Sequence, residues 1–142
     1  MTIISLLNRK GGAGKTTASV NLASIFALSK NKKVLLVDID PQANATTYLD
    51  KFISKDGISV YDVICKDLPA EEAVIDTDID GLKLIPSNVN LDKADTVLTT
   101  MPMAKEFVLK KKLLKGSEKL LPSDKLNDIK NCLMSIKKKS EC

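Results

Sequence analysis

The sequence predicts an α/β domain, a mostly parallel sheet flanked by helices, from three observations. A short apolar run, Ile3-Ile4-Ser5-Leu6-Leu7, leads into the glycine-rich segment Lys10 to Thr17, which reads Lys-Gly-Gly-Ala-Gly-Lys-Thr-Thr. Ala18, Leu22, Ala23, Ile25, Phe26 and Leu28 then recur at helical spacing. A second apolar run, Lys32 to Val37, ends in Asp38, Ile39, Asp40 and Pro41. Strand, loop, helix and strand in that order describe the first unit of a parallel sheet.

Each element has a physical reason. Residues 3–7 are expected to form a strand delivering its C-terminal end to the loop. Within the loop, Gly11, Gly12 and Gly14 remove side chains where the backbone turns sharply and must approach an anion closely, and Lys15 adds a point charge. The core Gly-x-Gly-Lys-Thr, from Gly12 to Thr16, sits between a strand and a helix, which is the context a phosphate-binding loop requires. The helix N-terminus adds partial positive charge, so the segment is expected to bind a nucleoside phosphate, with the Thr16 hydroxyl on the magnesium side. The run from Val34 to Val37 reads as a strand buried on both faces, bringing Asp38 and Asp40 to the sheet edge where ligands of open parallel sheets bind.

Further along, Val60 to Ile64 reads as a short helix, Gly81 to Asn88 as a strand ending in a turn, and Asn90 to Thr99 as a weak helix. Val74-Ile75-Asp76-Thr77, flanked by Glu71 and Glu72, is expected to be loop. Met103 to Lys119 is amphipathic, with Phe107, Val108, Leu109, Leu113 and Leu114 among Lys110, Lys111 and Lys112.

Composition narrows the function classes. A chain of 142 residues, 44% hydrophobic, buries one core and is short for two ordinary domains. No stretch reaches the roughly 18 apolar residues of a membrane span, and the N-terminus lacks the pattern of a signal peptide, so a cytoplasmic protein is expected. Cys65, Cys132 and Cys142 form no Cys-x-x-Cys pair and the chain has no histidine, which leaves ordinary thiols rather than a metal set. The net charge of +4 is uneven: from Met103 onward eleven lysines face five acids, against eleven basic and thirteen acidic residues before it. Such an end can lie on nucleic acid, although a wet helix face is the commoner use of lysine.

Lys10 directly before Gly11 and Gly12, with Gly14-Lys15-Thr16, resembles the deviant Walker A loop of the ParA and MinD ATPases. Asp38-Ile39-Asp40-Pro41-Gln42-Ala43-Asn44 is similar to the second motif of the ParA branch. The resemblance covers about residues 1 to 115, most strongly 3 to 48, and leaves 116–142 as a separate lysine-rich tail. It implies ATP and Mg2+ as ligands. Gly11, Gly12, Ala13, Gly14, Lys15, Thr16 and Thr17 would hold the nucleotide, and Thr16 and Asp38 would order the metal. Lys10, Lys15 and Asp40 would be catalytic, Lys10 reaching across a nucleotide-sandwich homodimer and Asp40 positioning the attacking water. It implies a ParB-like partner and non-specific DNA binding in plasmid or chromosome segregation.

The resemblance stops before the family's next strand motif, which ends in Asp-x-Pro and is absent from this sequence. Instead Leu126, Ile129, Leu133 and Ile136 line one face of a helical pattern closing in Lys137-Lys138-Lys139. Two functional expectations therefore stand: an ATPase, or a non-catalytic nucleotide-binding fragment that pairs with and modulates a full-length relative. Attachment to a membrane through the C-terminal segment is disfavoured by Asp124, Asn127, Asp128 and Asn131.

Overall fold

The apolar run Val34–Val37 forms the strand on which the rest is organised. In a computed structural model that describes residues 3–8, 10–30, 32–100, 109 and 111–113, helix α1 (Lys15–Lys30) precedes this strand, β1. The short helices α2 (Asn44–Tyr48) and α3 (Val60–Cys65) follow it, then strands β2 (Ile75–Asp76) and β3 (Leu82–Ile85), and helix α4 (Ala94–Thr100). Single 3-10 segments, Ala70–Ala73 and Val89–Lys93, lead into β2 and α4.

The sheet order is β1-β3-β2. β1 and β3 run parallel from Val34 opposite Leu82 to Val37 opposite Ile85, whereas β2 is antiparallel to β3, with Ile75 opposite Leu84. Gly81 lets β3 start close to the chain entering β1: its φ is +79°, its carbonyl accepts the Val34 N–H at 2.8 Å, and a Cβ there would stand 3.0 Å from the Lys32 carbonyl oxygen. Alternation along β3 then serves two layers. Leu82 and Leu84 pack with Val20, Ala23 and Ala27 of α1 and with Ala45 and Leu49, while Ile85 packs with Val60, Val63, Leu91 and Ala94. The small residues Ala23 and Ala27 let α1 lie close on the sheet.

The α/β class is as expected, and so are β1, α1, α3, β3 and α4. Four particulars differ. Among the described strands the sheet is mixed, with one parallel and one antiparallel pair, rather than mostly parallel. Val74 to Thr77 is not all loop, because Ile75 and Asp76 extend the sheet beside β3, and Lys83 reaches Asp76 across the pair at 2.9 Å. β1 is half-buried rather than buried on both faces, since its ladder is with β3 alone among the described strands.

The fourth difference bears on the site. Residues 3–8 form no strand, and Ile4 and Leu7 are 57% and 81% exposed. An apolar run becomes a strand only where a neighbour supplies the ladder, and the β1-β3-β2 sheet excludes it. On α1 the buried stripe is Val20, Ala23 and Ala27, and the larger Leu22, Ile25 and Leu28 face outward. Of the amphipathic segment 103–119, residues 109 and 111–113 are described and helical. Leu109 and Leu113 pack on the α3 side of the core, and Lys112 pairs with Asp67. The tail 116–142, with Cys132 and Cys142, lies outside the described residues.

Candidate functional site

The glycine-rich segment lies at the start of α1. Gly12 and Gly14 take φ of +69° and +76°, the left-handed region that glycine enters without strain. Among the described residues, no atom beyond the chain neighbours stands within 4 Å of where a Cβ of Gly11, Gly12 or Gly14 would lie, so the loop borders open space. The Gly14 carbonyl accepts the Ala18 N–H at 2.9 Å, the first bond of the helix, which leaves the N–H groups of the preceding residues pointing out of the helix end. Lys10, Gly11, Gly12, Ala13, Gly14 and Thr17 are exposed, and Lys15 and Thr16 half-buried. The Lys15 ammonium folds back to donate to the Lys10 carbonyl at 3.3 Å, and the Lys10 N–H donates to Asn8 Oδ1 at 3.0 Å.

α1 returns antiparallel to β1, so the helix start and the strand's C-terminal end share one side of the fold. Asp38, next after β1, is 4% exposed and points its carboxylate inward. Its Oδ2 accepts the Thr46 N–H at 2.9 Å and the Thr46 hydroxyl at 2.7 Å, and its Oδ1 accepts the Asp40 N–H at 3.2 Å. The Thr46 hydroxyl accepts the Ser87 N–H at 3.0 Å in turn. Asp40 is half-buried, its Oδ1 capping the Gln42 N–H at 2.9 Å and its carbonyl accepting the Ala43 N–H at 2.8 Å. Ala43, at φ 53° and ψ 35°, makes the left-handed turn that starts α2 and returns the chain to Asp38.

Beyond β3, Asn88 is also buried and holds the 54–57 loop, donating to the Ser54 and Gly57 carbonyls at 3.2 Å each. A shallow cavity of about 160 Å³ opens between residues 41–43, Lys51, Phe52 and Val89. That is below the roughly 300 Å³ of a small-molecule site, so this cavity is no pocket for a nucleoside. On the far side, burial pushes Asp62 up, but the Lys66 ion pair and the Ser59 N–H and hydroxyl outweigh it and hold the carboxyl below its ordinary range. Burial, helped by the Asp62 charge, raises the Cys65 thiol, which makes it a poor nucleophile.

The residues present suit a magnesium nucleotide. No group of three or more His, Cys, Asp or Glu side chains converges among the described residues, and Mg2+ needs none, since it keeps waters and uses one or two carboxylates together with phosphate oxygens. Asp38, already accepting three donors, suits a place behind that water shell rather than direct ligation. The glycine segment opens α1, and Asp38 and Asp40 follow the C-terminal end of β1. Sequence reasoning misses Thr46, whose side chain joins Asp38 to Ser87. The one available signal is a hydroxyl residue in the segment that returns toward the strand end.

A glycine loop at the start of a helix, beside carboxylates at the end of a neighbouring strand in an α/β sheet, defines a P-loop nucleoside triphosphatase fold. A family profile described as an AAA domain matches residues 1–120. The sporulation initiation inhibitor protein Soj of Bacillus subtilis is 41% identical over 113 residues, covering 78% of this chain and 43% of Soj. The chromosome partitioning protein ParA of Caulobacter vibrioides is 34% identical over 98 residues, covering 69% of this chain and 36% of that protein. Among solved structures, cobyrinic acid a,c-diamide synthase from Mycobacterium smegmatis with bound ADP and magnesium superposes with a TM-score of 0.74 at 32% identity, over 80% of this chain and 45% of that one.

The chain belongs to the ParA/MinD family of deviant Walker A, P-loop ATPases. It spans less than half the length of the curated relatives it matches. No helix among the described residues is long and apolar enough to cross a membrane.

Proposed function

We propose that this chain binds Mg-ATP through residues 11–17 and serves as the nucleotide-binding part of a partitioning ATPase, in plasmid or chromosome segregation. The observation that carries the reading is the open glycine loop, Gly12 and Gly14 at positive φ, ending at the first turn of a 16-residue helix. Its backbone N–H groups and the α1 dipole attract phosphate oxygens. Lys15 exchanges a neutral carbonyl partner for a phosphate oxygen, a stronger charge-assisted bond.

Thr16 would hold magnesium through its hydroxyl, and Asp38 would order the waters around it. Magnesium, when bound, neutralises charge on the phosphate oxygens. Asp40, anchored by Gln42 on one oxygen, presents its carboxylate to orient a water for hydrolysis. Lys10, exposed ahead of the loop, is the candidate to reach the nucleotide of a second subunit in a nucleotide-dependent homodimer. A ParB-like partner, non-specific DNA and a cytoplasmic location belong to the same proposal.

Calorimetric titration of the purified chain with ATP and Mg2+ tests it, with Lys15→Ala as control. Binding that the variant loses supports the loop as the site. A folded chain that binds no nucleotide overturns it.

A second reading is favoured by the outward-facing Ile4, Leu7, Leu22, Ile25, Leu28 and Ile39. We infer that these side chains are covered by a full-length relative, with this chain as a non-catalytic modulator, because apolar surface left in water favours association. Co-purification with such a relative is the expected result, and a strictly monomeric, partner-free chain contradicts it.

A further inference from the structure

We propose that Thr46 is a positioning residue that holds Asp40 in place through Asp38 and ties both to the end of β3. The proposal rests on the reading that Asp40 orients water for ATP hydrolysis. Thr46 is 1% exposed, and its hydroxyl is committed twice, donating to Asp38 Oδ2 at 2.7 Å and accepting the Ser87 N–H at 3.0 Å. Its own N–H adds a second bond to the same carboxylate oxygen at 2.9 Å. The other oxygen of Asp38 is then fixed on the Asp40 N–H at 3.2 Å.

The chain of bonds runs from the end of β3, through one hydroxyl and one buried carboxylate, to the backbone of the water-orienting residue. Three donors, two of them from Thr46, engage the Asp38 carboxylate, so its rotamer follows from where Thr46 stands. Thr46 stands where it does because Ala43 turns the chain back at φ 53° and Ala45 and Leu49 pack against α1 and Leu84. The Asp38 backbone is also tied to β3, its N–H donating to the Ile85 carbonyl at 3.1 Å, but Thr46 is the side chain that links the Asp38 carboxylate to Ser87. None of these bonds involves residues 11–17, so affinity for metal-free ATP and Asp40 placement are separable.

The test uses the full chain with Thr46→Val, which keeps the shape and removes the hydroxyl, and Thr46→Ser, which restores it. The readouts are amide hydrogen exchange at Asp40 and Ser87, affinity for ATP in the absence of Mg2+, and turnover with Mg2+. In Thr46→Val, exchange at both amides is expected to rise by about tenfold or more, as for loss of a charge-assisted bond. Turnover falls by about tenfold with affinity kept within about twofold, and Thr46→Ser recovers both. A residue that merely stabilised the fold would lower the melting temperature and leave turnover at saturating nucleotide unchanged.

Unaltered exchange at Asp40 in a folded Thr46→Val protein overturns the proposal. Raised exchange, in a chain whose wild-type turnover equals that of Lys15→Ala, upholds the positioning role and overturns the hydrolytic reading instead. Should Thr46→Val not fold, the wild-type Thr46 hydroxyl proton decides by NMR. Slow exchange supports the proposal, and exchange at the rate of a solvated hydroxyl refutes it.

Discussion

Ser87→Ala should make this protein more stable. The Ser87 side chain is fully buried, and its Oγ has no hydrogen-bond partner among the described residues, while its backbone N–H is already satisfied by Thr46. A buried hydroxyl without a partner forfeits its bonds to water, a loss of about 1–3 kcal/mol. Removing one oxygen opens a void of roughly 12 Å³, which costs about 0.3 kcal/mol. The net expectation is a gain of about 1–2 kcal/mol, or a rise of about 4 °C in Tm for a domain of this size.

Ser59→Ala is the matched control. Ser59 is equally buried, but its hydroxyl donates to Asp62 Oδ2 at 3.2 Å at the start of α3, so its removal should destabilise by about 1 kcal/mol. Urea denaturation of the three proteins, with constant m-values, measures both changes. A midpoint for Ser87→Ala at or below wild type would show that the hydroxyl is satisfied, and the reasoning from burial would fail.

Other outcomes follow from the same contacts. Because Asp62 is held below its ordinary carboxylate range in the fold, its stabilisation is complete above the unfolded pKa of about 3.9 and disappears as pH falls through the lower folded value. The urea midpoint should drop across that acid range in wild type and less steeply in Asp62→Asn. Ala43→Gly relieves a left-handed alanine at φ 53°, worth about 1–2 kcal/mol, against about 0.5–1 kcal/mol of added unfolded-state freedom. A small rise in the midpoint is expected, and a fall would mean that the turn is not strained. Gly81→Ala combines φ +79° with a 3.0 Å approach to the Lys32 carbonyl, so it should lower stability by about 2 kcal/mol, read by the same titration.

Local chemistry was the legible part of this sequence. The glycines that need positive φ, the helix after them and the carboxylates after β1 follow from rules acting over a few residues, and all are found in place. What depends on distant partners was not legible. Residues 3–7 have the composition of a strand, yet strand formation requires a ladder, and the sheet is built from β1, β3 and β2. Ile75 and Asp76 look like loop until β3 offers them an edge. On α1 the pattern identified a helix but not its inward face, because small alanines rather than Leu22, Ile25 and Leu28 allow close approach to the sheet. The Thr46 bridge leaves only a hydroxyl near the strand end as its trace in the sequence, since its two partners come together through the parallel pairing of β1 with β3.

That pairing also sets an order of events. Val34 meets Leu82 across the parallel ladder, and closing a loop of about 48 residues carries an entropic penalty on the order of 3 kcal/mol before any contact offsets it. The glycine loop and the local hydrogen bonds of α1 lie outside that closure, while the packing of α1 on Leu82 and Leu84 comes with it. Asp38, Asp40 and Thr46 lie within it, and Ser87 lies just past its far end. The anion-binding end of the site can therefore take shape early, while the carboxylate end must wait for the slow, non-local step. A nascent or partly unfolded chain would hold its helix and loop before acquiring a fixed Asp40.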